Sequence, residues 1–136
     1  ALENLSIENA CKKMTEEQLA ELKKAAKVFE ATMEEGNLVK LAEADVAFHE
    51  VIYQSSDNRR LNQVLNNLRE QIYRYRVEYL KEEETRKLLV KEHDEIYEAI
   101  RNRDVKTAQE ISYQHIENQR EAIVRSIREE NDSRQK

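Results

Sequence analysis

Four side chains that can ligate a metal ion stand out in this chain: Asp45 and all three histidines. Asp45 and His49 lie four residues apart in one segment, His93 lies in a later segment, and His115 lies in the last. Positions four apart on a helix stand about 5 to 6 Å apart between Cβ atoms, so Asp45 and His49 can bind one ion from the same face. The spacing is compatible with a divalent metal site and also with a set of buried core histidines.

Each of the four residues falls on a helix face that is otherwise apolar. A single histidine on such a face is more often a hydrogen-bonded core residue than a ligand. Burying three histidines and a carboxylate separately requires a partner for each, whereas one divalent cation satisfies all four. Both interpretations stay open, because spacing does not prove that the three helices face one another. The apolar neighbours on these faces are Leu41, Ala42, Phe48, Ile52, Leu89, Ile96, Ile100, Ile111 and Ala122.

The composition predicts that helices alone position these residues. The chain of 136 residues has no Pro, one Gly, 39% apolar and 38% charged residues, which favours amphipathic helices over strands. Its length suits one domain, residues 1–136, with a core that needs no covalent staple. The single cysteine, Cys11, excludes an internal disulfide and is compatible with a reducing cytoplasm. We therefore expect one all-α domain in the cytoplasm.

Charge and hydropathy exclude two kinds of partner. The formal net charge of -5 provides no basic surface for neutralising phosphates, so the chain by itself should not bind DNA. No apolar run approaches the ~20 residues that span a bilayer. The N-terminus also lacks the basic stretch and apolar core of a signal peptide. We expect a protein that contacts neither nucleic acid nor membrane directly.

Capping residues and polar breaks divide the chain into helices. Thr15 and Gln18 predict a capping box, and Gly36 predicts the stop of the helix that it opens. Asp104 predicts the N-cap of the last helix, and the polar tail 129–136 is expected to fray. The first three predicted helices cover residues 2–13, 16–35 and 38–55. After a polar break at Ser56, Asp57 and Asn58, a fourth covers about 58–80. A fifth carries Leu89 to Ile100, and a sixth carries Ala108 to Ile123.

Several motifs carry a family resemblance that covers residues 2–126. They are Asp45-x2-Phe48-His49, Asn58-x2-Leu61, Glu92-His93-x2-Ile96-x2-Ala99-Ile100, and Asp104-x3-Ala108 followed by His115. In this order and spacing they resemble the FCD domain, the C-terminal effector-binding domain of FadR-subfamily GntR-type bacterial transcription regulators. Each motif alone is weak, whereas the combination is fairly specific.

The resemblance implies an antiparallel bundle of six or seven helices with a divalent metal inside. On this chain the metal ligands would be Asp45, His49, His93 and His115, and a small organic acid would complete the coordination. Zn, Ni, Mn, Fe and Co all suit such ligands, with Zn or Ni favoured. The family places a DNA-binding winged helix-turn-helix before this domain, and we expect that module to be absent from the present chain. The resemblance thus implies a homodimeric sensor, not an enzyme, that reaches DNA only through that N-terminal domain.

A bound carboxylic acid also needs a cation, and the planar guanidinium of arginine matches a carboxylate. Arg76 continues the inward stripe of the fourth predicted helix, and Arg86 lies seven residues before His93 on the same face. Asn118, three residues after His115, is a candidate for a supporting contact. For each of these three candidates, a solvated or surface-paired side chain is the alternative.

Two other function classes are alternatives to the sensor. The first is a helical dimerisation or interaction module without metal, which a metal assay would separate from a sensor. The second, less favoured, is a metal-dependent hydrolase or oxidase. The chain has no Glu-x-x-His pair and no His-Glu-x-x-His sequence, and no inward carboxylate is left over as a general base.

Two positions differ from the family pattern. Arg103 stands where Gly usually precedes the capping Asp104, and Asp57 stands where a small residue is common before Asn58. We expect these differences to affect the local turns more than the site.

Overall fold

The structure is a computed structural model that describes residues 2–56 and 58–135, apart from the side chains of residues 2–4, 72, 122, 123, 126 and 135. These residues form helices and no strands, which confirms the all-α class. Within the same residues, no helix is both long and apolar enough to span a bilayer. The helices are α1 (Leu2–Lys13), α2 (Glu16–Met33), α3 (Leu38–Ser55), α4 (Arg59–Asn67), α5 (Arg69–Tyr79), α6 (Glu83–Arg101) and α7 (Val105–Gln135).

The predicted caps are present at the helix ends. Thr15 Oγ1 accepts from the Gln18 amide at 3.1 Å, and the Gln18 side chain accepts from the Thr15 amide at 3.0 Å, which confirms the capping box. After α2, Gly36 adopts a φ of 68°, where an L side chain would be strained. Asn58 caps α4 by accepting from the Leu61 amide at 3.0 Å. Of the other predicted positions, Asp57 and the side chains of Ala122 and Ile123 lie outside the described residues.

The prediction of a single helix over residues 58–80 is wrong, because this segment forms two helices, α4 and α5. Leu68 separates them with φ -94° and ψ 0°, and its amide donates to the carbonyls of Val64 and Leu65, each at 3.2 Å. The apolar spacing continues across the break, so periodicity alone does not reveal it. Two asparagines, Asn66 and Asn67, precede the break, and asparagine competes for backbone hydrogen bonds and favours helix ends. Beyond the break, α5 packs against α3 and α7.

The C-terminal tail is also more regular than expected. The helix α7 continues through Gln135, so the fraying predicted for residues 129–136 is wrong for its described part. This segment is exposed, and an ion pair of 3.2 Å joins Arg134 to Glu130 one helical turn earlier. Without Gly or Pro to stop it, the helix extends from its packed portion into solvent.

The turn between α6 and α7 explains one difference from the family pattern. Arg103 has a φ of 58°, the left-handed conformation that glycine adopts most readily. The amides of Arg103 and Asp104 donate to the carbonyls of Ile100 and Ala99 at 3.0 and 2.8 Å, which is a Schellman motif. The Arg103 guanidinium also donates to three carbonyls at the end of α1, those of Ala10, Cys11 and Met14.

Three apolar clusters form the core of the described residues, and the polar residues of interest lie near the junction of the two largest. The larger cluster joins α1, α2, α3, α6 and the start of α7, and contains Phe48. The second joins α2, α3, α5 and α6, and contains Phe29. His93 contacts both phenylalanine rings, with centroid distances of 4.0 Å to Phe48 and 4.7 Å to Phe29. The junction of the clusters therefore surrounds His93 with apolar side chains.

Candidate metal centre

Two helices bring three potential metal ligands together in the interior. Asp45 and His49 lie one turn apart on α3, and His93 lies on α6. The Nε2 atoms of His93 and His49 lie 2.9 Å and 3.4 Å from the same oxygen, Oδ1 of Asp45. One ligand atom from each residue lies within 4.8 Å of the others, and all three side chains are buried. Two nitrogens therefore converge on one carboxylate oxygen.

These separations suit an ion held by all three residues. A metal about 2.1 Å from each donor places neighbouring donors about 3.0 Å apart at a right angle and about 3.4 Å apart at the tetrahedral angle. The distances of 2.9 Å and 3.4 Å around Asp45 match the edges of such a polyhedron. Imidazole nitrogens with a carboxylate oxygen also form a donor set typical of divalent transition metals. The residues present therefore fit a metal, and their chemistry does not select one ion.

The carboxylate of Asp45 has different partners on its two oxygens. Oδ1 faces the two histidines, whereas Oδ2 accepts a hydrogen bond of 3.0 Å from Nη1 of Arg76 on α5. Burial by itself would raise the pKa of Asp45, but the Arg76 guanidinium and hydrogen bonds from His49 and His93 hold that pKa well below its usual range. Asp45 is therefore ionised, as a metal ligand must be.

His93 is held rigidly and stays neutral. Its ring stacks on Phe48 at an interplanar angle of 18° and meets Phe29 edge-on at 69°. Burial lowers the pKa of His93 and outweighs the opposite effect of Asp45. Among the described residues, Nδ1 of this buried ring has no hydrogen-bond partner. A neutral imidazole is the form that ligates metals, and binding through Nε2 would require the proton that this atom donates to Asp45 to move to Nδ1.

The structure does not place His115 in the group of three. The His115 ring, on α7, stacks on that of His49 with centroids 5.3 Å apart and an angle of 14°. Its Nδ1 lies 2.5 Å from Oε2 of Glu92, and its Nε2 lies 3.2 Å from Nε2 of Gln119. The four residues singled out in the sequence are thus neighbours, with three converging on one point and the fourth beside them.

Tyr79 adds a polar group next to the histidines. Its ring meets that of His115 edge-on at a centroid distance of 6.1 Å, and the side chain is buried. Burial, followed by the nearby carboxylates of Glu92 and Asp45, raises the pKa of Tyr79, so the phenol keeps its proton. Within the described part of the chain, no group hydrogen-bonds the hydroxyl.

A cavity of about 220 Å³ adjoins the group of three. Both His49 and Arg76 line it, so the cavity touches one potential metal ligand and the guanidinium that binds another. Its volume lies below the ~300 to 1,000 Å³ of pockets for drug-sized ligands, which favours a small occupant. The polar side chains that line it, besides these two, include Tyr53, Gln54, Asn62, Asn66 and Arg69.

The other two candidates for effector binding lie elsewhere. Arg86 donates from Nε to the Leu80 carbonyl at 2.7 Å and from Nη2 to the Lys81 carbonyl at 2.9 Å, which ties down the end of α5. It is not among the residues that line the cavity. Asn118 donates to Oε1 of Glu92 at 3.3 Å, on the side of the centre where His115 lies. Arg76 is thus the one candidate of the three beside the cavity.

Glu92 and Tyr79 are the residues of the centre that sequence reasoning missed. The sequence did contain a signal for Glu92. It directly precedes His93 in the same motif, and a buried histidine often pairs with a carboxylate. Nothing in the sequence singles out Tyr79, which falls on the apolar stripe of the predicted helix 58–80. Its position beside His115 depends on α5 packing against α7, which periodicity within one helix does not show.

Comparison with known proteins identifies the family of the chain. No curated protein matches the chain. The FCD domain family matches it over residues 1–118, which includes all seven polar residues of the centre: Asp45, Arg76, Tyr79, His49, Glu92, His93 and His115. The match also confirms the resemblance predicted from the motifs, and FCD is a family of regulatory domains and not of enzymes. The chain therefore belongs to the FCD family, the C-terminal domain of GntR-family regulators.

Proposed function

We propose that this domain binds one divalent metal through Asp45, His49 and His93, with His115 as a fourth ligand, and that the bound metal recognises a small carboxylic acid. The observation that carries the proposal is the convergence of two imidazole nitrogens on one buried oxygen of Asp45, at 2.9 and 3.4 Å. Zn or Ni is favoured, and Mn, Fe and Co have the same ligand preferences in part. A metal that accepts five or six ligands keeps a position for the acid.

The charges around the centre favour an anionic ligand. Asp45 and Glu92 are carboxylates and Arg76 is a guanidinium, so these three buried side chains carry one net negative charge. A divalent cation would turn this into one net positive charge in a low-dielectric interior, which is costly. One carboxylate from an effector restores neutrality. Metal and acid should therefore bind cooperatively, and each should raise the affinity for the other by the same factor.

Arg76 is our preferred contact for the acid. It lines the cavity next to His49, whereas Arg86 already binds two backbone carbonyls at the end of α5. The guanidinium of Arg76 uses Nη1 for Asp45, and its planar shape presents further donors that a carboxylate can use. Asn118 acts indirectly in this scheme, through Glu92. Arg76 would thereby link a metal ligand to the effector.

The output of such a sensor is a change in DNA binding. We propose that the domain works as a homodimer in the cytoplasm and controls a winged helix-turn-helix module that precedes it in the regulator. The arrangement proposed for the whole domain is the antiparallel bundle of six or seven helices implied by the resemblance. The net charge of -5 supports an indirect role at DNA, because the acidic chain attracts no phosphates by itself.

Metal content tests the first half of the proposal. The purified domain should carry about one divalent ion per chain, and removing the ion with a chelator should lower its melting temperature, since the ion binds only the native state. Asp45→Asn should abolish uptake of Zn or Ni. Asp94→Asn, an exposed position on α6, is the matched control and should bind like the wild type. A domain that takes up neither ion and melts identically with chelator would refute the metal site.

Arg76→Met tests the second half, with the exposed Arg74→Met as its control. The Arg76 variant should lose most of the stabilisation by central-metabolism carboxylates in a thermal-shift screen of the metal-loaded protein. Its metal affinity should be unchanged or higher, because Asp45 loses a competing cation. The control should keep the response to the acid. Equal thermal shifts with and without metal, or none with any carboxylate, would contradict the sensor mechanism.

A metal-free interaction module is the second candidate, and one contact favours it. The ion pair of 3.0 Å between Arg76 and Asp45 neutralises the buried carboxylate without any ion. In that case the histidines serve only as core residues, and the Asp45→Asn variant should differ from the wild type in stability but not in metal content. Measurements of metal content and of stability therefore distinguish the metal-binding sensor from the metal-free interaction module.

A further inference from the structure

Glu92 is a buried carboxylate to which the proposed metal centre assigns no ligand role. It lies on α6 directly before His93, and its side chain is directed to α7 rather than to Asp45. Oε2 lies 2.5 Å from Nδ1 of His115, and Oε1 accepts from Asn118 at 3.3 Å. Only 6% of the residue is exposed. Such a buried charge is tolerated when hydrogen bonds satisfy it, and here both oxygens have partners.

These contacts determine which ring nitrogen of His115 carries a proton. An ionised carboxylate only accepts hydrogen bonds, so Nδ1 of His115 must be the donor to Glu92. In a neutral imidazole of this tautomer, the lone pair lies on Nε2. The Gln119 side-chain amide, 3.2 Å from Nε2, is placed to donate to that lone pair. The ring is held on a third side by its stacking on His49 at 14°.

We propose that Glu92 is a positioning residue that keeps His115 in the Nδ1–H tautomer and orients its Nε2 as the fourth ligand of the metal. This rests on the proposed function and deepens it. A carboxylate hydrogen-bonded to the outer nitrogen of a ligating histidine fixes the ring and raises its basicity as a ligand. An incoming ion would have to displace the contact with Gln119 and draw His115 closer to the group of three, but the ring already has the required tautomer. Asn118 restrains the other oxygen of Glu92.

Metal affinity provides the first test, with Zn²⁺ or Ni²⁺ titrated against a competing chelator. Glu92→Gln keeps the size of the side chain and removes its charge, and it should weaken binding by roughly 10- to 100-fold. Glu95→Gln is the matched control, because it removes the same charge from an exposed position one turn along α6. The control should change affinity by less than about threefold, the scale of a screened surface charge. His115→Ala should weaken binding at least as much as Glu92→Gln, and the double variant should lose no more than His115→Ala alone.

The tautomer provides a second readout that does not depend on metal uptake or on stability. In ¹⁵N-labelled, metal-free wild type, at a pH where the ring is neutral, His115 should show a protonated Nδ1 and an unprotonated Nε2. In Glu92→Leu, which cannot accept a hydrogen bond, the Nε2–H tautomer should become populated, while Glu95→Gln keeps the wild-type signature.

The outcomes separate this inference from the proposed function. If the wild type binds no metal, the metal centre and the positioning role fail together. If the wild type binds metal and His115→Ala weakens it, but Glu92→Gln behaves like Glu95→Gln, the positioning role alone is overturned. An Nε2–H tautomer of His115 in the wild type would overturn it as well. Loss of affinity in Glu92→Gln without loss in Glu95→Gln, together with the Nδ1–H signature, supports it.

Discussion

The guanidinium of Arg103 should stabilise the domain by joining the turn after α6 to the end of α1. It donates to the carbonyls of Met14, Cys11 and Ala10 at 2.6, 3.1 and 3.4 Å. A hydrogen bond to a charged group contributes about 1.5 to 3 kcal/mol when solvent is excluded. Because Arg103 is exposed in part, we expect about 2 kcal/mol for the three contacts together. Arg103→Ala should lose this amount.

The backbone of Arg103 predicts a second, opposite effect. Its φ of 58° costs a residue with a side chain about 1 kcal/mol, a cost that glycine avoids. Arg103→Gly should therefore be destabilised by only about 1 kcal/mol, although it lacks the same three contacts. With about 2.1 cal/mol/K of unfolding entropy per residue, 1 kcal/mol shifts the melting temperature of 136 residues by about 3.5 °C. The expected decreases are about 7 °C for alanine and about 3.5 °C for glycine.

Thermal and urea denaturation in the presence of chelator measure these differences without a contribution from bound metal. Arg101→Ala is the control, because its exposed pair with Glu98, at 3.6 Å, should contribute less than about 0.5 kcal/mol. An Arg103→Ala variant as stable as the wild type would refute the role of the guanidinium. A glycine variant less stable than the alanine variant would refute the argument from φ.

Three further results are expected. Phe48→Ala removes a fully buried ring that stacks on His93, so it should cost about 3 to 5 kcal/mol in chemical denaturation and weaken metal binding; unchanged stability would contradict this packing. Cys11 is buried, and burial raises the pKa of its thiol, so a thiol reagent should label it only as fast as the domain opens; rapid labelling of native protein would show that it is accessible. Hydrogen bonds from Thr107 lower the pKa of Asp104, so this carboxylate stabilises the fold above its unfolded pKa of about 3.9 and loses that effect as pH falls through its lower folded pKa. The stability difference between wild type and Asp104→Ala should accordingly be larger at pH 7 than at pH 2.5, and a constant difference would contradict it.

Features that depend on a few neighbouring residues were predictable from the sequence. The capping box of Thr15 and Gln18 and the N-cap of Asp104 involve partners three residues away, so local spacing is enough to find them. The proximity of Asp45 and His49 has the same basis, because one turn of α3 joins them. The ranges of α1 and α3 agree with the predicted ones.

The break at Leu68 and the conformation of Arg103 were not predictable in this way. The apolar stripe passes through Leu68 without interruption, and the contacts of α5 with α3 and α7 appear only in the folded structure. From the sequence alone, an arginine at a position whose backbone conformation favours glycine is expected to be destabilising. It becomes understandable only beside the carbonyls of α1, about 90 residues earlier in the chain, which its guanidinium binds.

The residue types of the centre and their helix faces were determined by the sequence, since the helical period alone directs Asp45, His49, His93 and His115 inward. Which atoms meet was decided by the tertiary structure. Because α5 packs near α3, Arg76 hydrogen-bonds one oxygen of Asp45, which lies 31 positions earlier in the chain, and the histidines contact the other oxygen. The packing of α6 on α7 places His115 in contact with Glu92 rather than with Asp45. Helical periodicity determines a direction around one axis, whereas a site needs distances between axes, and only the packing of the core sets those.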